Sequence, residues 1–168
     1  MSFQFEKEAS QEKNVMATSR EREKSASAAP RPIDYAAMAS QLVKATRDDA
    51  TLDRLGVCYL RQGKFEEALK VYRQIALQAG GVCERTDLPE PYVRNFATAL
   101  LLSGLPSGCM LVLRGLPDQR HPRVVELYAA VRDWERSLPF LQRWDWRFNS
   151  VDPKNARVAI DFEPGEMS

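Results

Sequence analysis

Apolar residues from position 34 onward recur at spacings of three and four, which is the period of a helix that buries one face. The first such stripe consists of Tyr35, Met38, Leu42 and Ala45. Asp34 stands directly before the stripe, where its carboxylate can accept hydrogen bonds from the free N–H groups of a first turn. The pattern therefore predicts a helix over residues 34–47, and Asp48-Asp49 offers an N-cap for the helix that follows.

The chain then repeats itself at an offset of 41 residues, because residues 52–75 align without a gap with residues 93–116. Gly63 falls on Gly104, at a place where a left-handed residue ends a helix at low cost. Gly56 falls on Ala97, so both copies keep a small residue where two helices can approach closely. Each unit is therefore predicted to be a helix, a tight turn and a second helix that stacks on its copy.

The first unit resembles the tetratricopeptide repeat, a helix–turn–helix of about 34 residues. The matching positions are Leu52, Leu55, Gly56, Tyr59, Ala68 and Tyr72. The second unit is a degenerate copy with Ala97, Leu100 and Cys109 at three of those places, and its offset exceeds the family's period by about seven residues. The resemblance places one repeat near 49–82 and a second near 90–123.

The resemblance implies an all-α fold, in which antiparallel helix pairs form a short right-handed stack over residues 33–142. Two repeats need neighbours against which to bury their outer faces. We therefore expect the helix at 34–47 before them and a helix from about residue 122 after them, six or seven helices in all. Asp87 and Glu90 have the spacing of a capping box, which predicts that the second unit begins just after them.

The two ends of the chain depart from this pattern. Residues 1–32 are rich in Glu, Lys, Ser and Ala and poor in large apolar residues, so we expect a disordered N-terminal tail. Residues 143–168 form an aromatic C-terminal extension, and its period-two alternation predicts a β-hairpin over 143–162. Two alternatives are an extended segment along the chain's own helices, with the tryptophans as plugs, and an edge strand added to a partner. The extension is expected to pack on the helical domain or on a partner.

By the resemblance, the first helix of each repeat lines a concave groove that binds a partner. The implied groove residues are Asp53, Val57, Leu60, Arg61, Arg94, Asn95, Thr98, Leu101 and Leu102. Carboxylate-clamp members of the family use a lysine and an asparagine where this chain has Asp53 and Val57, so only Asn95 matches that clamp. The more apolar groove suits an extended peptide or an amphipathic helix. A candidate second surface consists of Trp144, Trp146 and Phe148.

Charge and composition give no global attraction for nucleic acid or anionic lipid, because 24 Lys+Arg and 23 Asp+Glu leave a formal net charge of +1. The first residues lack the apolar core of a secretory signal, and no stretch reaches the roughly 18 apolar residues of a membrane span. The three cysteines are too few and too far apart for a disulfide framework. We therefore expect a cytoplasmic protein that does not contact membranes.

Catalytic and metal-binding patterns are not recognisable in the sequence. The only histidine, His121, precedes Pro122 at a predicted helix start, and no CxxC, HExxH or phosphate-binding glycine loop occurs. Cys58 and Cys109 fall on faces predicted to be buried, whereas Cys83 in the long loop is the thiol that we expect to react. We expect neither an enzyme nor a bound metal or cofactor.

The expected function is that of an interaction adaptor or scaffold that binds a peptide or helix of another protein in the groove. A small export-type chaperone is a close alternative. A nucleic-acid-associated protein is the alternative from a different class, because seven arginines and no lysine lie between residues 114 and 147. Five acidic residues interleave with those arginines, which favours ordinary surface ion pairs and makes nucleic acid the less favoured partner. A homo-oligomer is compatible with the sequence.

Overall fold

Seven helices lie in the part of the chain that the computed structural model describes, residues 33–45, 48–77, 85, 87–154 and 156–167. In chain order they are α1 (Tyr35–Leu42), α2 (Asp49–Arg61), α3 (Phe65–Ala76), α4 (Glu90–Leu102), α5 (Pro106–Arg114), α6 (Pro122–Ser137) and α7 (Phe140–Asn149). They belong to one unit, residues 34–168. The expected disordered tail at 1–32 lies outside the described residues.

Aspartate caps start the first two helices, as their positions in the sequence predicted. The Asp34 carboxylate accepts hydrogen bonds from the N–H groups of Ala36 at 3.1 Å and Ala37 at 3.0 Å. Asp48 accepts from the N–H of Thr51 at 2.7 Å. Helix α1 ends at Leu42, earlier than the predicted helix over 34–47.

Helix α4 begins where the second unit was predicted to begin, but the predicted capping box is wrong. The N-cap residue is Pro89, which has no side chain to cap the helix. The Asp87 carboxylate instead pairs with the guanidinium of Arg85 at 3.0 Å, and Arg85 also reaches Asp49 at 2.7 Å. The Asp87 carboxylate, which the spacing assigned to the N-terminus of α4, is therefore paired with Arg85 instead.

Helices that are adjacent in sequence pack against one another, from α1 on α2 through α4 on α5. Contacts also join α2 to α4 and α4 to α6, so the first helices of successive units form one layer. This arrangement confirms the predicted all-α stack of helix pairs. None of the described helices is long and apolar enough to cross a membrane.

Helices α2 and α3 approach each other closely at Gly56. A Cβ atom built on Gly56 would lie 2.6 Å from two ring carbons of Tyr72, so only glycine leaves room for that ring. The Tyr72 hydroxyl thereby reaches into α2 and donates a hydrogen bond of 3.1 Å to the Asp53 carboxylate. The turns after α2 and α4 are closed by Gly63 and Gly104 with φ of 73° and 79°, as predicted.

The predicted hairpin over 143–162 is wrong, since its first half is helix α7. Successive residues of a helix are rotated by about 100°, so Trp144 and Phe148 share one face while Trp146 points to the opposite side. The alternation of aromatic and charged residues therefore reflects two aromatic faces of one helix. After α7, the described residues 150–154 and 156–167 are irregular, with a turn at Lys154 and bends near Phe162 and Gly165, and contain neither helix nor strand.

Replacing Gly56 with alanine should lower the free energy of unfolding by about 1–3 kcal/mol, because the new methyl group overlaps the Tyr72 ring. Gly108→Ala is the matched control, since a Cβ at this helical glycine would make an ordinary contact of 3.4 Å with Leu100. The control should be neutral or more stable by up to about 1 kcal/mol through helix propensity. Chemical denaturation measures both, and equal effects of the two substitutions would contradict the packing argument.

Stability should also fall at alkaline pH because of Tyr72. Burial raises the pKa of its phenol well above the usual value, and the Asp53 carboxylate acts in the same direction. The folded protein therefore keeps a proton that the unfolded chain loses above about pH 10, and the free energy of unfolding drops there by up to about 1.4 kcal/mol per pH unit. Tyr72→Phe should show a shallower decline in denaturant titrations across that range. An unchanged slope would contradict this assignment.

Candidate functional site

The chain after α7 lies on its own helices. We call residues 150–167 the C-terminal segment; within it the structure describes all residues except Asn155. Its first anchor is the Asp152 carboxylate, which accepts from the N–H of Ser107 at 3.0 Å and from the indole of Trp146 at 3.1 Å. Ser107 lies in the first turn of α5, where the free N–H groups favour a negative charge. This anchor ties the start of the segment to both α5 and α7.

Apolar contacts hold the middle of the C-terminal segment. Its Val158 side chain is buried, and Phe162 packs against the core with the guanidinium of Arg123 4.4 Å from its ring centroid. The carbonyl oxygen of Ala156 lies where a Cβ on Gly104 would come within 2.7 Å, so the turn after α4 admits the segment only because it is a glycine. The segment is therefore packed as part of the domain.

Asn95 on α4 binds the backbone of the C-terminal segment at Glu166. The Glu166 N–H donates to the Asn95 Oδ1 at 2.7 Å, and the Asn95 Nδ2 donates to the Glu166 carbonyl at 2.9 Å. The same Nδ2 donates to the Asp53 carboxylate at 3.0 Å. Because Asp53 also accepts from Tyr72, the amide of Asn95 is held in one orientation by buried groups. Paired N–H and C=O contacts of this kind recognise extended backbone, whatever side chain it carries.

Three arginines surround the carboxylates of the C-terminal segment. The Arg94 guanidinium donates two hydrogen bonds to Glu166 at 2.8 and 3.1 Å, and Arg123 on α6 approaches the other Glu166 oxygen at 3.4 Å. Arg61 on α2 pairs with Glu163 and donates to the Gly165 carbonyl at 2.8 Å. Such charge-assisted hydrogen bonds are about twice as strong as neutral ones. We call the faces of α2, α4 and α6 that contact residues 156–166 the groove.

Two carboxylates at the rim of the groove, those of Glu90 and Glu126, already neutralise part of the positive charge of the arginines. Glu90 lies 3.5 Å from Arg94, and Glu126 lies 3.1 Å from Arg123. Burial lowers the pKa of the Arg61 guanidinium, and the charge of Arg123 acts in the same direction while Tyr35 opposes it. The charges of Arg61 and Arg123 therefore repel each other, and the carboxylates of Glu163 and Glu166 lie where they offset this repulsion.

Gly165 makes the closest backbone contact with α2. Its φ of 82° lies in the left-handed region, and an added Cβ would come within 3.1 Å of Val57 and 3.3 Å of Leu60. The side chains of Val57 and Leu60 are fully buried. The apolar floor of the groove is thus covered by a residue without a side chain.

The predicted groove residues divide into two groups. Val57, Leu60, Arg61, Arg94 and Asn95 meet the C-terminal segment directly. The other four stand behind or beside this contact: Asp53 orients Asn95, the Thr98 hydroxyl donates to the Arg94 carbonyl at 2.9 Å, Leu101 is buried in the core, and Leu102 lines the groove edge near Ala156. The sequence-based groove therefore includes core residues as well as contact residues.

Arg123 is the groove residue that the sequence reasoning missed. The third helix pair lacks the repeat signature, so α6 was not aligned with α2 and α4, and Arg123 was considered only as one of seven clustered arginines. The residues Glu163, Gly165 and Glu166 were also missed, because their role depends on where the extended segment lies. A Pro-Gly pair flanked by two glutamates was the available signal for a turn with acidic ends.

The three residues of the candidate second surface lie on two opposite faces of α7. Trp134 packs edge-to-face against Trp146 with ring centroids 5.3 Å apart, so Trp146 points inward. Trp144 and Phe148 lie side by side on the outer face, with centroids 4.3 Å apart, and are mostly exposed. The three aromatic residues therefore do not form one surface.

Other reactive groups of the described part of the chain have structural roles. Cys58 and Cys109 are fully buried, and burial raises the pKa of the Cys109 thiol to about 12 and that of Cys58 in the same direction. His121 caps α6 by accepting from the N–H of Arg123 at 3.2 Å. Among the described residues no group of three or more His, Cys, Asp or Glu is placed to hold a metal ion. Cys83 lies outside the described residues.

Comparison with known proteins identifies the first unit. Residues 51–81 match the tetratricopeptide repeat family, and this stretch contains most of α2 and all of α3. The chain matched no curated protein and no solved structure. Tetratricopeptide repeats are in general protein–protein interaction modules. Residues 51–81 are therefore a tetratricopeptide repeat.

Proposed function

We propose that the protein is an interaction module whose groove binds an extended acidic segment of another protein. The observation that supports this proposal is the way in which the chain's own C-terminal segment lies there. Asn95 pairs with the Glu166 backbone through both its amide atoms, and arginines from α2, α4 and α6 contact the segment's acids. A partner segment with the same features can make the same contacts.

The contacts favour an extended peptide over a helix as the partner. The N–H and C=O of a helical residue are largely committed to bonds within the helix, whereas those of Glu166 both point to Asn95. The contact at Gly165 also disfavours a helix. The backbone there approaches Val57 and Leu60 too closely for a helix with side chains to take the place of the segment. The groove therefore suits non-helical backbone with a glycine over its apolar floor.

Acidic character is favoured by the arginines. Arg94 is almost completely buried, and its fork holds the Glu166 carboxylate through two hydrogen bonds. A buried guanidinium that loses its partner is costly, so a segment without an acid at this place binds more weakly. Glu90 and Glu126 at the rim offset only part of the charge, and they stay in place whichever segment is bound.

The chain's own segment acts as a competitor in this proposal. A tethered ligand has an effective concentration of the order of millimolar, so an external segment must bind more tightly than the tethered one or reach contacts that it lacks. The Glu163 side chain is 69% exposed although it pairs with Arg61, and an exposed pair of this kind contributes little. The contact at Glu163 is therefore one that a better-fitting partner can improve.

The arginines of the C-terminal half support nucleic-acid binding less well than they support a protein partner. Arg136 pairs with Asp133 at 3.0 Å, and Arg143 donates to main-chain carbonyls, including that of Glu135 at 3.0 Å. The Arg147 guanidinium also lies 3.8 Å from the Glu135 carboxylate. These local partners favour a protein ligand for the groove over a phosphate backbone along this half of the chain.

A direct test uses the full chain with Glu163→Lys and Glu166→Lys, which repel the segment from the arginines. A fluorescent peptide of residues 156–167 should bind this variant at least about tenfold more tightly than it binds the wild-type chain, where the tethered segment competes. The same peptide with both glutamates changed to glutamine should bind about tenfold more weakly, because the charge-assisted bonds are lost. Fluorescence anisotropy measures all three affinities.

Two further substitutions in the charge-reversed chain serve as controls. Arg94→Ala should abolish peptide binding, whereas Arg132→Ala, an exposed arginine on α6, should leave it unchanged. If the charge-reversed chain melts like the wild type yet binds no peptide, the groove is not a peptide site. Equal losses from the two arginine substitutions would point to non-specific charge attraction.

Gly165→Ala provides a second way to loosen the segment. The methyl group meets Val57 and Leu60 and strains the positive φ, so the segment should leave the groove more often and peptide affinity should rise about fivefold. Gly63→Ala is the matched control, because it has a similar positive φ but open space around its Cβ. The control should lower the melting temperature without changing peptide affinity. A rise in affinity in both variants would show that general destabilisation, and not release of the segment, exposes the groove.

A further inference from the structure

The outer face of α7 carries a row of exposed apolar side chains that we call the aromatic ridge. Its members are Phe140, Leu141, Trp144 and Phe148. Each of them is between 56% and 79% exposed, and α7 has no buried residue. The ring centroids of Phe140 and Trp144 lie 6.3 Å apart and those of Trp144 and Phe148 lie 4.3 Å apart, so the rings form a continuous strip along the helix.

The helix behind the aromatic ridge is held in one orientation. Trp146, on its inner side, packs against Trp134 and donates to the Asp152 carboxylate. The Arg143 guanidinium donates to the carbonyls of Glu135 at 3.0 Å and Leu138 at 2.9 Å. Because Arg143 and Trp146 tie the inner face to the domain, α7 cannot turn the ridge inward without breaking these hydrogen bonds. The exposure of the ridge is thus built into the fold.

The exposed area is large enough for the centre of a protein interface. A fully exposed aromatic side chain presents about 150–250 Å², so the three rings together leave roughly 300–500 Å² uncovered. The largest apolar patch of an ordinary monomer is about 300–600 Å² and often functional. A stable interface buries about 800 Å² on each partner, of which the apolar centre is a part and a polar rim the remainder.

We propose that the aromatic ridge is the contact surface of a homodimer, in which the ridges of two copies pack against each other. Rows of side chains at spacings of four interdigitate with an identical row when two helices cross at about 50°, so the ridge is complementary to itself. A contact of this kind is closed by a two-fold axis and leaves no ridge exposed. The proposal does not depend on what the groove binds.

The charges beside the aromatic ridge also favour a second copy. Asp145 lies along one edge of the ridge and Arg147 along the other, as follows from a rotation of about 100° per residue. A two-fold arrangement can therefore place the acidic edge of one ridge against the basic edge of the other. The formal net charge of the chain is only +1, so two copies do not repel each other as they approach.

Light scattering coupled to size exclusion tests the proposal on the full chain. At about 100 µM, well above the micromolar dissociation constant expected of such a contact, the wild type should have twice the mass of one chain. Phe140→Ser with Phe148→Ser should shift the mass to that of one chain, with the circular dichroism and melting temperature of a folded protein. The double variant keeps Trp144, so the tryptophan emission of the protein, to which Trp134 and Trp146 also contribute, should shift to longer wavelength as the Trp144 ring becomes exposed to water.

Val43→Ser is the matched control, since Val43 is a similarly exposed apolar residue that follows α1 at the other end of the helix order. This variant should remain dimeric. A wild-type chain that stays monomeric at about 100 µM overturns the proposal, as does a double variant that is still dimeric. A monomer whose Trp144 is shielded from acrylamide also overturns it, because another part of the same chain then covers the ridge.

Discussion

The contact between Gly56 and the ring of Tyr72 sets the geometry on which the groove depends. With no side chain at Gly56, α3 approaches α2 closely enough for the Tyr72 hydroxyl to reach the Asp53 carboxylate. Asp53 in turn orients the amide of Asn95, and Asn95 pairs with the backbone of Glu166. A packing feature of one repeat is therefore connected to the groove through three successive hydrogen-bonded groups. The polar groups are buried, so each of them holds its neighbour in a single orientation.

The groove combines two kinds of recognition with different demands. The Asn95 amide contacts backbone and tolerates any side chain, whereas Arg94 and Arg123 require a carboxylate at one place. Under our proposal, backbone pairing sets the register of the bound segment, and the arginines distinguish one segment from another. This division explains how a small domain can hold its own C-terminal segment in place and still, under our proposal, exchange it for a segment of a partner.

Helix α7 has two aromatic faces, one packed on the domain and one exposed. Trp146 on the inner face packs on Trp134 and binds Asp152, which anchors the C-terminal segment before it enters the groove. Trp144 and Phe148 on the outer face have no such role in the domain and remain exposed. Because both faces belong to one rigid helix, a contact made by the outer face leaves the anchor at Asp152 in place. Binding in the groove and self-association through α7 are therefore compatible in one molecule.

The repeat could be predicted from the sequence because its signals are local. Small residues at Gly56 and Ala97, helix-ending glycines and aspartate caps act within one helix pair, and periodicity places the buried side chains. The groove residues on α2 and α4 followed from matching positions in the repeats. Arg123 did not, because α6 lacks the signature and its place in the layer is decided by packing against α4.

In the C-terminal part of the chain, local sequence signals were not sufficient to predict the secondary structure. The pattern Trp144-Asp145-Trp146-Arg147-Phe148 is compatible with a strand that has one aromatic face and with a helix that has two. Packing of Trp146 on Trp134 and its hydrogen bond to Asp152 stabilise the helix, and both contacts lie outside the i to i+4 spacings that a periodicity argument considers. The sequence by itself determined the helix pairs and their small-residue contacts. Only the tertiary structure decided that the groove is filled, because the pairing of Glu166 with Asn95 and Arg94 joins residues more than seventy positions apart.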